Sequence, residues 1–166
     1  MREITHTIYT YDELEPRVQQ AVLENLVDMN VDHDDWWRHY EDYCQVNIQE
    51  FDLFRRECKV NFTDSASKTA RHIETTHGGT GAMRASADAF LRSMYKLEAR
   101  LELASDDEAS DIEAEMDILS EDYQRDLSQQ VLDLLESEYE HLTSEDAIIE
   151  TIEANELEFY ADGRIA

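Results

Sequence analysis

The sequence predicts a mainly α (α+β) protein, a helical body with a small antiparallel sheet formed from the chain ends. Three observations lead there. Apolar residues recur at three-to-four spacing through most of the chain. β-Branched and aromatic residues gather near both ends. The chain has 166 residues and is 42% apolar, enough for a buried core without a disulfide or metal staple.

Taken in order, Ile4, Thr5, Thr7, Ile8 and Tyr9 alternate with other types across 2–10, the pattern of a short strand. Pro16 sits where a first helical turn tolerates proline, and Val18, Val22, Leu23 and Leu26 follow at helical spacing. Asn30 or Asp32 closes that helix. A longer helix is expected from Asp34 to about Arg56, on Trp36, Tyr40, Tyr43, Cys44, Ile48, Phe51 and Leu53 or Phe54. Lys59 to Phe62 reads as a second strand, and Ser65 or Ser67 as the cap of a short helix through Ala70 and Ile73.

His77-Gly78-Gly79-Thr80-Gly81 is read as a connector. A helix over 82–104 follows on Met83, Phe90, Leu91, Met94, Leu97 and Leu101. Ser105-Asp106-Asp107 stops it and caps the next, with acids well placed in a first turn. Ile112, Met116, Leu119, Tyr123, Leu127, Val131 and Leu134 carry either one helix or two broken at Ser120. Thr143 to Asp146 caps another helix, bearing Ile148, Ile149 and Ile152. Leu157, Phe159 and Asp162-Gly163 resemble a final strand and its turn. The expectation is a single domain over 1–166, with 82–140 able to stand out as a helical arm.

The charge is the anomaly. Forty acids face fourteen bases, a net of −26. Residues 1–54 hold thirteen acids and three bases, and residues 55–100 five acids and nine bases. Residues 101–166 hold twenty-two acids and only Arg125 and Arg164, so most of the excess lies there. Direct contact with nucleic acid needs a basic footprint, and an anionic membrane repels such a chain, so both are disfavoured as partners. The N-terminus lacks the apolar run of a signal peptide, no stretch is long enough to span a bilayer, and a cytoplasmic location is expected. Cys44 and Cys58 are expected to be buried structural thiols.

The stretch YTYDELEPRVQQAVLENLVDMNVDHDDWWRHYEDY at 9–43 resembles the opening of small uncharacterised proteins common in tailed bacteriophages. HLTSEDAIIETIEANELEFYADGR at 141–164 is similar to the way such proteins end. The resemblance implies a phage origin, with host cytoplasm as the place of action, and carries no catalytic residues. The middle of the chain departs from that pattern, since its glycines come late, in HGGTG.

Other constellations are weaker. His33-Asp34-Asp35 with His39 does not share one helix face well enough for a metal. His72, Glu74 and His77 miss the zinc-protease spacing, and HGGTG lacks the lysine of a phosphate loop. No cofactor, metal or catalytic group is expected. Trp36-Trp37 reads as one core residue beside a half-exposed one that can anchor a partner.

Nine acids fall within 106–122, and eight of them are the candidate site: Asp106, Asp107, Glu108, Asp111, Glu115, Asp117, Glu121 and Asp122. On a helix, carboxylates at i, i+3 and i+4 fall on one face, and acidic faces side by side approach the charge density of a duplex. The expected function is a phage-encoded inhibitor that mimics nucleic-acid charge, blocking a DNA- or RNA-binding host defence or processing enzyme of the anti-restriction or anti-CRISPR kind. Its partner is a basic nucleic-acid-binding protein. The alternative is a non-mimetic adaptor whose acidity serves solubility or a high-salt source; eleven arginines against three lysines bear on the latter. Arg84, Arg92, Lys96 and Arg100 share one helix face and offer a pairing surface for the chain's own acidic helices or for a homodimer.

Overall fold

The computed structural model describes residues 7–32, 35–76 and 81–166. In chain order its elements are β1 (Ile8–Tyr9), α1 (Pro16–Asn25), α2 (His39–Cys44), β2 (Val46–Asp52), β3 (Glu57–Phe62), α3 (Ala66–Thr75), α4 (Gly81–Leu101), α5 (Asp106–Leu142), α6 (Glu145–Ala154) and β4 (Phe159–Tyr160). The protein is mainly α, and β1 pairs antiparallel with β4, so the chain ends form the small sheet expected from the sequence. The chain divides into two compact units. The first combines residues 1–36 with 137–166, and the second spans 37–136.

In the first unit, Tyr11, Leu14, Val22, Leu23, Ile148, Ile152 and Phe159 form one buried cluster. Pro16 opens α1 as expected, and Ser144 caps α6 by accepting the Ala147 amide at 3.3 Å. Asn30 ties this unit together: it donates to the Leu142 carbonyl at 3.1 Å and accepts from the Thr151 hydroxyl at 2.7 Å. Gly163 turns the chain after β4 with φ +86°, and a Cβ there would meet Val18 and Val22 at 3.0 Å, so any other residue would be strained.

The end of α6 is a Schellman turn. Leu157 N–H bonds the Ile152 carbonyl at 3.0 Å, and Glu156 N–H bonds the Glu153 carbonyl at 3.0 Å. Glu156 occupies the left-handed position, φ 50°, which usually belongs to glycine.

The second unit corrects one expectation. The helix foreseen from Asp34 to Arg56 is confined, among the described residues, to His39–Cys44; Gln45 then turns left-handed and β2 begins. Asp34, where that helix was to begin, lies outside the described residues, as does most of the strand foreseen over 2–10. The apolar positions Val46, Ile48 and Phe51 fit both periods over so short a run. Antiparallel pairing with 57–62 decides for strand, through Val46 with Phe62 and Ile48 with Val60. A bulge between Ile48 and Glu50 shifts the register.

Both edges of this hairpin are covered by side chains. The Ile48 amide, facing away from β3, donates to Glu41 at 2.7 Å. On β3, the Val60 amide donates to Ser128 Oγ at 3.3 Å, and its carbonyl accepts from Gln124 at 2.6 Å. Tyr123 lies stacked with Phe90 at 4.5 Å and with Phe62 at 5.9 Å between ring centroids. Ser65 caps α3 as foreseen, accepting the Lys68 amide at 3.3 Å. The break considered at Ser120 does not occur: its hydroxyl donates back to the Met116 carbonyl at 2.9 Å and α5 runs through.

Two smaller readings also change. Neither tryptophan is fully buried: Trp36 lies against Tyr139 at 6.0 Å, and Trp37 stands edge-on to Phe51 at 5.7 Å with Arg38 over its ring. Cys44 is fully buried, whereas Cys58 is only partly so. Among the described residues no helix is long and apolar enough to cross a membrane.

Candidate partner-binding face

Helix α5 begins with its own cap. The Ser105 amide and hydroxyl both donate to Glu108, at 3.1 and 2.7 Å, and these bonds hold the Glu108 carboxyl below its ordinary range. Asp106, Asp107 and Glu108 fill the first turn, where free amides and the helix dipole favour negative charge. Helix physics alone accounts for these three.

It does not account for the acids that follow. Asp111, Glu113, Glu115, Asp117, Glu121 and Asp122 are all exposed. Two of them hold arginines: Glu115 pairs with Arg100 of α4 at 2.7 Å, and Asp122 with Arg125 at 2.9 Å. Asp111, Glu113, Asp117 and Glu121 have no ion pair or hydrogen bond to their side chains among the described residues. They stand in like-charge i,i+4 relations, Asp107 to Asp111 and Glu113 to Asp117 to Glu121, and such pairs work against a helix by roughly 0.2–0.5 kcal/mol each.

By the helical period these side chains form two files. Asp106, Glu113, Asp117 and Glu121 make one; Glu108, Asp111, Glu115 and Asp122 make the other, with Asp107 between them. Buried Ile112 and Tyr123 occupy the remaining side of the helix, and the two files stay exposed on either flank of it. From Asp106 to Asp122 the helix rises about 24 Å. Counted over both files together, the paired Glu115 and Asp122 included, the eight acids singled out from the sequence come at about one per 3 Å of rise, against roughly 3.4 Å per phosphate of a single DNA strand. Glu113, which the sequence reading left out, joins them, exposed as they are; its i+4 relation to Asp117 is the signal that could have found it.

The basic face of α4 is mostly occupied within the chain. Arg84 donates to the Thr76 carbonyl at 2.9 Å, Arg92 pairs with Asp88 at 2.7 Å, and Arg100 with Glu115. Among the described residues Arg100 alone of these four cations is seen to pair with α5, and a homodimer built on this face would have to break these pairs. His33, Asp34 and His77, weighed as ligands, lie outside the described residues, and among the described residues no group of three or more metal-binding side chains converges. No family model, curated protein or solved structure matches the chain.

Proposed function

We propose that the first half of α5 is a partner-binding face that presents nucleic-acid-like charge to a basic, nucleic-acid-binding protein, and so acts as an inhibitor of the anti-restriction or anti-CRISPR kind. The observation that carries this reading is the set of exposed carboxylates beyond the first turn, Asp111, Glu113, Asp117 and Glu121, that no cation of the described chain neutralises. A helix gains nothing from them by itself. Lysines and arginines of a partner would relieve their mutual repulsion and supply affinity that screens with salt.

The test is capture from a bacterial lysate on the immobilised protein, eluted with a salt gradient, beside the D111N/D117N/E121Q variant. Recovery of nucleases or other nucleic-acid-binding proteins at low salt, lost with the variant, is the expected result. Capture unchanged by the three substitutions rejects the reading.

A second reading, an adaptor gripping its partner through apolar groups, is favoured by Phe54, which is 98% exposed between β2 and β3. Binding would then depend on Phe54 and persist in high salt.

A further inference from the structure

The first unit contains a cleft that the acidic helix face does not involve. About 490 Å³ in volume, it lies between the Thr10–Asp12 segment and the end of α6, lined there by Ile152, Glu153 and Glu156–Glu158. That volume falls within the roughly 300–1,000 Å³ of ligand-holding pockets. Its floor is apolar: Tyr11 and Ile152 are 8% and 1% exposed, and Leu157 is half-buried beside them. The Schellman turn pairs Leu157 with Ile152 and so builds this floor.

The rim is acidic on both sides. Asp12 stands on one wall and Glu153, Glu156 and Glu158 on the other, all exposed, with no basic residue among those lining the cleft. None of the four carboxylates takes part in an ion pair among the described residues. An apolar floor rewards a group that leaves water, which a hydrated metal ion or a polyamine does not supply. Carboxylates on two opposed walls favour positive charge on either side of that group.

We propose that this cleft docks a basic polypeptide segment of a partner protein, a large apolar or aromatic side chain entering over Tyr11, Ile152 and Leu157 while flanking arginines or lysines meet Asp12, Glu153, Glu156 and Glu158. The recognition is that of an apolar anchor with a charged collar, the anchor supplying affinity and the collar supplying choice. It does not rest on the reading of α5, because none of its residues belongs to that helix.

The experiment titrates the full chain with a blocked peptide carrying phenylalanine between two arginines, followed by methyl NMR of Ile152 and Leu157. Two control peptides replace the phenylalanine by alanine or both arginines by glutamine. Saturable shifts of both methyls are expected, with at least roughly tenfold weaker binding for either control and for the E153Q/E156Q variant. D111N/D117N/E121Q should bind the peptide as the parent does. Still methyls, or equal binding of the alanine peptide, overturn the proposal without any variant having to fold. Shifts that appear on concentrating the protein without peptide would assign the cleft to a second copy, and equally overturn it.

Discussion

Gln124 of α5 donates its side-chain amide to the Val60 carbonyl of β3 at 2.6 Å and to the Asn61 side chain at 3.0 Å. The bond joins a long helix to the backbone of a strand far from it in sequence, and it satisfies a partly buried carbonyl that the β2–β3 ladder leaves outward. Replacing Gln124 by leucine should cost about 1–2 kcal/mol, since the carbonyl loses its partner in a partly dry site. Urea denaturation of the variant measures this, and an unchanged midpoint would mean that water replaces the amide at no cost.

Tyr123 presents the opposite situation. Its ring is held in the stack with Phe90 and Phe62, but its hydroxyl is buried and has no hydrogen-bond partner among the described residues. Tyr123→Phe should therefore leave stability unchanged or raise it by up to about 1 kcal/mol, whereas Tyr123→Ala should lower it by about 3–5 kcal/mol. A thermal melt of the two variants side by side separates the ring from the hydroxyl.

Glu156→Gly should stabilise the chain by about 0.5–1 kcal/mol, because glycine takes the left-handed position of the Schellman turn without a Cβ conflict. The same change removes one carboxylate from the cleft, so the variant should melt later while holding the arginine-flanked peptide more weakly. A destabilised variant would show that the Glu156 side chain contributes more than its backbone costs.

The two thiols set a pH dependence. Burial pushes Cys44 up to about 12 and Cys58 up to about 11. Near pH 8 the folded protein should thus react with iodoacetamide far more slowly than its unfolded form, in which thiols ionise near about 8.5. The folded values lie above the unfolded ones, so the thiols' contribution to stability is whole below about pH 8.5 and declines as pH rises toward 11 and beyond. Denaturant midpoints between pH 7 and 10.5 should fall, and should fall less in the Cys44→Ala/Cys58→Ala variant measured against its own value at pH 7.

Helices α4 and α6, and the helical run of α5, were legible in the sequence because each shows enough turns of apolar spacing, or a capping residue such as Ser144, for local signals to suffice; that α5 runs unbroken through Ser120 was left open. The pairing of the chain ends was legible too, from short alternating runs and the Asp162-Gly163 turn. The exposure of the acids at 106–122 followed from composition and helical period together. What these residues meet did not.

Only the tertiary structure decided that Val46–Asp52 is a strand, since over so few residues the helical and extended periods coincide and distant pairing with Glu57–Phe62 breaks the tie. It also decided that Arg100 pairs with Glu115 while Asp111, Asp117 and Glu121 meet no cation among the described residues, a matter of which helix faces meet. The cleft shared by Tyr11 and Ile152 was invisible for the same reason: its two walls come from opposite ends of the chain. Local chemistry determines which residues prefer a helix or shun water. Which ones converge depends on contacts between residues far apart in sequence, and a one-dimensional pattern does not carry that information.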